Sequence, residues 1–247
     1  MSVDFFFNDR EPNAGLKDEP MKVITKEYIN SWIHREKQIR DKVKALIKAQ
    51  LNTIEVTGRN LVVADVIVKY VIETLNRDLE LLGNSDRGTL EIHGREVKMK
   101  GEFCGQKFKG FIDRLDSLQE GHVRVVDYKT GKKDFDYCDV FNGIGLQMLL
   151  YMFALRDSGE EHLGNRPIPV GVQYFPAKVP YLSTEGRPDD AEAEKKRSKQ
   201  WRREGLLLDD EEILRAMEPE NTGKRLNFTV KKDGSRQNFD KQKILTG

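Results

Sequence analysis

The chain has 247 residues, of which 42 are Lys or Arg and 41 Asp or Glu, for a formal net charge of +1. That length accommodates one large α/β domain, or a domain with a helical annex, and buries a sizeable core. No run of 18 apolar residues occurs, which excludes a transmembrane helix, and with a near-zero net charge bulk attraction does not announce a nucleic-acid partner, although local positive charge can serve one.

In chain order, residues 1–24 lack a charged leader followed by an apolar core. They read as a polar tail carrying Phe5, Phe6 and Phe7, neither signal nor anchor. A cytoplasmic setting is expected, with Cys104 and Cys138 as free thiols in a reducing compartment. Residues 25–51 place Tyr28, Trp32, Ile39, Val43, Leu46 and Ile47 at helical spacing behind Thr25, a side chain suited to capping the first turn, with Glu27 close by. A second helix is expected over about 60–82, with Leu61, Val62, Ile67, Val71, Leu75 and Leu79 as its apolar stripe and Gly83 as its stop. The two stripes predict helices packed together as one layer that serves as scaffold.

Residues 89–130 read as three strands. In HVRVVDYKT, the side chains of Val123, Val125, Asp127 and Lys129 share a face, because the strand repeat is two. A carboxylate and an amine thus interrupt an apolar face, and a buried charge is costly unless it is paired or bound to metal. Alone, the strand reads equally as an edge strand with a solvated ion pair. The preceding segment, KFKGFIDRLDSLQEGH, shifts the balance: Phe111, Asp113 and Leu115 alternate onto one face and Gly121 marks a turn, which predicts a β-hairpin. Antiparallel pairing then brings Asp113 and Asp127 together, with Lys129 a step beyond. Two converging carboxylates repel unless a divalent cation lies between them, and such oxygen ligands suit Mg²⁺ or Mn²⁺. Arg114 and Arg124 read as surface residues that touch a phosphate or pair with a neighbouring Asp.

A helix is expected over 142–157, ended by Gly159, in which Gln147 and Tyr151 stand at i and i+4 and share a face. Their plainer reading is the rim of an amphipathic helix. PVGVQYF, 169–175, reads as a strand closed by Pro176 and Pro180. The segment 184–204, TEGRPDDAEAEKKRSKQWRRE, is charged and nearly free of aliphatic residues, and Gly205 ends it. Its Lys195, Lys196, Arg197, Lys199, Arg202 and Arg203 around Trp201 fit phosphate tracking with base stacking, or a solvated helix face, which the adjoining acidic run favours. Asp209 or Asp210 is suited to cap a short helix in DDEEILRAME, and FTVKKDGSRQNF reads as a hairpin around Asp233 and Gly234. Helices, three strands, a helix and a strand in that order predict an α/β fold, a mixed sheet flanked by helices.

The succession GFIDRLD, VVDYKTG about a dozen residues on, and a helix carrying L-Q-x-x-x-Y resembles the RecB-type branch of the PD-(D/E)XK nucleases. Within that branch it is similar to the C-terminal nuclease domain of the AddB subunit of bacterial ATP-dependent helicase/nucleases. The similarity continues through GVQYFPAKVP and RREGLLLDDEEILRAME to FTVKKDGS, covering residues 60 to 235. It implies a restriction-endonuclease-like αβββαβ core and a Mg²⁺- or Mn²⁺-dependent DNA exonuclease of repair and recombination. DNA, and a helicase/nuclease partner subunit, are the partners it implies, with no membrane involved. Carried onto this sequence, it makes Asp113 and Asp127 metal ligands and Lys129 the catalytic lysine. The backbone carbonyl of Tyr128 becomes a further ligand, and Gln147 and Tyr151 the helix motif that looks toward the site. Glu96 matches the acidic position ahead of the first Asp, or is simply an exposed strand residue. The organisation expected is a tail over 1–24, a helical layer packed on the core over 25–83, a nuclease core over 84–183, and a charged insertion, short helix and C-terminal hairpin over 184–247.

Three features depart from that family. His34, His93, His122 and His162 all read as non-ligands, whereas members of the branch often carry a ligating His upstream of the hairpin. Several AddB-type nucleases hold an iron–sulfur cluster through four cysteines; with two in the chain, neither a cluster nor a zinc site is expected. No G-x-x-x-x-G-K-[ST] loop occurs, so ATP binding is not expected. The chain is expected to be a nuclease module standing alone or a fragment of a longer protein. The alternative function is a catalytically inactive nuclease-fold module for DNA-end binding or subunit interaction.

Overall fold

A computed structural model describes residues 22–83, 89–119, 121–129, 131, 135–163, 166–176, 190–218, 226, 229–230, 236–237 and 243–245. The tail before residue 22, Thr130, Pro180 and the Asp233–Gly234 turn lie outside the described residues, as do the side chains of His162, Lys195 and Arg197. The chain divides into two units, residues 1–90 and 91–247.

The first unit contains β1 (Lys22–Thr25), α1 (Lys26–Ile33), α2 (Glu36–Leu51) and α3 (Arg59–Gly83). Thr25 caps α1 as expected, its hydroxyl accepting the Tyr28 N–H at 3.2 Å. The single helix expected over 25–51 is instead two. The chain breaks at His34, which adopts φ −79° and ψ −2°, and Arg35 N–H closes a tight turn on the Trp32 carbonyl at 2.9 Å. Residues 34–38, HREKQ, offer no apolar side chain to hold a continuous helix against its neighbour. Ile29 and Trp32 of α1 and Ile39 and Val43 of α2 are buried, and both helices pack on α3. The inward face of α3 is Ala64, Val68, Val71 and Leu75, whereas Leu61 and Val62 of the expected stripe are 39% and 64% exposed. Apolar residues surround most of the first turns of α3, so its sequence period does not single out the face that packs.

The second unit holds β2 (Thr89–Phe103, entered at the boundary), β3 (Gln106–Gln119), β4 (His122–Lys129), α4 (Tyr137–Phe141), α5 (Gln147–Ser158), α6 (Glu160–Leu163) and β5 (Ile168–Pro176). Then come α7 (Asp190–Gln200), β6 (Glu204–Leu208), α8 (Glu211–Met217), β7 (Thr229–Val230), β8 (Arg236–Gln237) and β9 (Lys243–Leu245). The strand order is β2-β3-β4-β5-β6-β9. Antiparallel pairing links β2–β3, β3–β4 and β5–β6, while β4–β5 and β6–β9 are parallel. This is the mixed α/β sheet expected. A parallel β4–β5 pair needs a crossover, and α5 supplies it. Leu115, Val123, Val125, Val172 and Leu206 line the sheet beneath Met148 and Leu155 of α5. Each such fully buried aliphatic side chain contributes about 1.5–3 kcal/mol.

Three local outcomes differ from expectation. The helix expected from residue 142 begins at Gln147; before it lies α4, capped by Asp136, and a turn in which Gly143 and Gly145 adopt φ 79° and 74°. Residues 204–208, which follow directly on the charged stretch expected to end at Gly205, form strand β6 against β5. Gly205 permits that pairing, since a Cβ there would lie 2.0 Å from the Val172 carbonyl oxygen. Trp201 is no base-stacking platform: it is 8% exposed and packs edge-on to Phe175 at 6.2 Å. Arg203 is buried over the same Phe175 ring, and Lys196 pairs with Glu192 at 2.8 Å, so Trp201 and Arg203 are core residues and Lys196 is ion-paired on its helix. Asp210 caps α8, accepting from Glu212 and Ile213 N–H, and β7 pairs antiparallel with β8, as the sequence predicts.

Candidate active site

The β3–β4 ladder is last paired at Arg114↔Val126, which sets Asp113 and Asp127 across from each other where the strands begin to part. Here a side chain replaces the backbone acceptor: Tyr128 N–H donates to Asp113 Oδ2 at 2.9 Å, fixing that carboxylate. Lys129 Nζ lies 2.6 Å from Asp127 Oδ2 and 6.0 Å from the centre of the Tyr174 ring. Asp127 is 8% exposed, and its Oδ2 accepts no well-aligned hydrogen bond, so the Lys129 contact acts as an ion pair. Burial pushes the Asp127 carboxyl above the ordinary range, Lys129 pulls it back, and the Asp113 charge adds a smaller upward push; the net direction is up. Tyr174, beside Asp127 on β5, has its hydroxyl pushed up to about 12 by burial and by that same carboxylate.

Helix α5 is fastened to β3 just before Asp113. Tyr151 Oη accepts the Phe111 N–H at 3.1 Å and the Gln147 amide at 2.7 Å, so the expected i, i+4 pair is formed. Gly110 makes room for the ring, since a Cβ there would lie 2.1 Å from Tyr151 Oη. Tyr151 is buried and Gln147 exposed. Glu96 sits on β2 between the pairs Arg95↔Arg114 and Val97↔Ile112, level with Asp113, and is exposed with φ 47°. Among the described residues, no three His, Cys, Asp or Glu side chains gather as a metal-holding group. His34 Nδ1 bonds the Asn30 carbonyl at 2.7 Å, His93 Nε2 bonds Ser117 Oγ, and His122 opens β4 at the end away from Lys129. Cys104 and Cys138 are exposed free thiols.

The other face of the hairpin holds a charge cluster that the sequence pattern alone did not single out. Asp116 is fully buried, with Arg114 Nε at 2.6 Å from one oxygen and Arg124 Nη2 at 2.9 Å from the other. Arg124 also donates to Gln173 Oε1 and Arg114 to Tyr128 Oη, each at 3.1 Å. Arg114 and Arg124 are therefore 1% and 0% exposed rather than surface residues open to phosphate. Burial alone would raise the Asp116 carboxyl; the two guanidinium groups overcome it and hold the group below the usual carboxylate range. The signal was present in the alternation: Arg114, Asp116 and Arg124 all occupy positions facing away from Leu115 and Val125, and the register pairs Asp116 with Arg124.

Compared with known proteins, residues 27–225 match the profile of the PD-(D/E)XK nuclease superfamily. The B subunit of an ATP-dependent helicase/deoxyribonuclease from Acetivibrio thermocellus is 43% identical over 131 residues, 51% of this chain and 11% of that protein. The B subunits of the same description from Clostridium perfringens and Desulforamulus reducens are 29% identical over 222 residues and 31% over 188. These alignments cover 87% and 67% of this chain but 19% and 16% of the relatives, so the chain spans less than a fifth of their length. Among the described residues no helix is long and apolar enough to cross a membrane.

Proposed function

Since this chain belongs to the PD-(D/E)XK nuclease superfamily, we propose that it is a divalent-metal-dependent deoxyribonuclease of exonuclease type, acting in DNA repair or recombination. The observation that carries the proposal is Asp127: a buried, under-bonded carboxylate facing a second one, with an ammonium group in contact. Such a pair fits a hard cation, because all the donors are oxygens and the charge lacks a full set of protein partners.

In this reading Asp113 and Asp127 hold Mg²⁺ or Mn²⁺, with Glu96 as a further candidate. A strand residue sends its N–H and C=O to the same side, so the Tyr128 carbonyl, whose N–H serves Asp113, is aimed at the same place. The bound cation supplies Lewis acidity toward a phosphodiester oxygen. Lys129 orients a water by hydrogen bonding and offsets the charge that grows on the phosphate, and Asp127 keeps the ammonium in position. Tyr151 acts as a positioning residue through the Phe111 backbone, while exposed Gln147 contacts the DNA strand. The relatives' names speak of a helicase/deoxyribonuclease, and a partner subunit of that kind, in the cytoplasm, belongs to the proposal.

The test is incubation of the purified chain with end-labelled linear and covalently closed circular DNA, with Mg²⁺ or with chelator. Loss of linear DNA alone, and with Mg²⁺ alone, is the expected result; cutting of the circle identifies an endonuclease instead. One observation favours a second reading, a nuclease-fold module that binds DNA ends or another subunit without cleaving: no third acid or imidazole joins the pair among the described residues. Calorimetric titration with Mn²⁺ separates the two, since the inactive module takes up no carboxylate-dependent metal.

A further inference from the structure

The β2–β3 ribbon keeps an unbroken register from Val97↔Ile112 to Phe103↔Gln106. Its two faces have different fates. Met99, Phe108 and Ile112 belong to the core, and Gly101 and Gly110 are overlaid by Ala154 and Tyr151, so α5 closes that side. The opposite side carries Lys98, Lys100, Lys107, Lys109 and Phe111, all exposed. Lys98 stands directly across from Phe111 and Lys100 from Lys109; Glu102, across from Lys107, is the acid among them. Like charges directly opposite each other destabilise a ribbon, and none of the four lysines has an ion-pair partner among the described residues. Phe111 is 58% exposed amid those charges. Lys107, Lys109 and Phe111 follow at every second position of β3, with successive steps of about 7 Å.

Resting on the nuclease reading above, we propose that this lysine-ridged face of the β2–β3 ribbon is a binding track for single-stranded DNA. The ammonium groups follow the phosphates, and an unpaired base stacks on Phe111. The occupant is fixed by two features together. Unpaired positive charge selects a polyanion, and an exposed aromatic ring among the charges selects one whose flat faces are free. Duplex DNA keeps its bases stacked on one another and offers phosphates and base edges, not base faces, to such a surface.

The experiment is equilibrium binding of a fluorescein-labelled oligothymidylate to the 247-residue chain across a salt series in chelator, where binding is read without cleavage. Each lost phosphate contact lowers the slope of log K against log salt by about 0.7 for a single strand, so the variant Lys98→Ala/Lys100→Ala/Lys107→Ala/Lys109→Ala should flatten it by about 3. Phe111→Ala should weaken binding about 5- to 100-fold at an unchanged slope, and Phe111→Tyr should restore it. Circular dichroism verifies that each variant is folded. An unchanged slope and affinity in the quadruple variant overturns the track, and equal or tighter binding of a blunt duplex by the parent overturns the single-strand assignment. Absence of cleavage in Mg²⁺ overturns the nuclease reading and leaves this binding readout intact; the converse outcome leaves cleavage intact and removes the track.

Discussion

On one face of the β3–β4 hairpin Asp116 is enclosed by two guanidinium groups, whereas on the other Asp127 has one ammonium group beside it and Asp113 accepts one backbone N–H. The residue types and the strands are the same, and the electrostatic consequences are opposite. Asp116 has its carboxyl held low by partners that more than offset its burial; Asp127 has its carboxyl pushed high because its partner does not. A satisfied cluster holds strands together, and an unsatisfied one retains the capacity to bind.

Asp127→Asn breaks the comparison most directly. Mg²⁺-dependent degradation of linear DNA should fall to background, while the metal-free variant should melt no lower than the parent near neutral pH. The sign follows from linkage. A carboxyl raised above its unfolded value of about 3.9 contributes stability fully present below that pH and lost as pH rises through the folded value, so the ionised group is unfavourable to folding at neutrality. A clearly lower melting temperature in chelator would show the working face to be structural after all.

The next largest effect belongs to the opposite face. Asp116→Ala strands two buried guanidinium groups and should destabilise the protein by about 3–5 kcal/mol, measured by denaturant unfolding. Here the pH dependence reverses: a depressed carboxyl contributes stability present above about pH 3.9 and lost as pH falls through the folded value. Acid titration of the melting temperature should therefore be steeper in the parent than in Asp116→Asn.

Lys129→Met should lower kcat about 10²- to 10³-fold, the usual effect of losing one preorganised donor at a reacting oxygen, while calorimetric Mn²⁺ uptake persists. The smallest change is Tyr151→Phe. It removes the acceptor for the Phe111 N–H and the Gln147 amide and should reduce stability by about 1–3 kcal/mol, with a fall in kcat at unchanged KM if α5 positions the site.

The front face was legible because its chemistry is local. A two-residue alternation put Asp127 and Lys129 on the Val123–Val125 face, and a Gly121 turn set the strand that carries Asp113 against it. The rear face obeys the same alternation, yet Arg114 and Arg124 read as surface residues, since a single chain does not show what covers the far side of a sheet. Gln173 of β5 and Met217 of α8, hydrogen-bonded to each other, do that covering. The break at His34, the inward face of α3 and the late start of α5 were misplaced for a related reason: apolar periodicity proposes several faces and boundaries, and packing selects among them.

Local pattern therefore settled the β3–β4 hairpin with its two acids and lysine, the Thr25 cap and the α/β class, because each depends on neighbours within a few residues along the chain. Tertiary structure alone decided how many partners each carboxylate receives. Burial, and the approach of Gln173 to Arg124, are set by strands far apart in the chain. It is that count of partners that makes Asp116 a brace and that carries the proposal of Asp127 as a metal ligand.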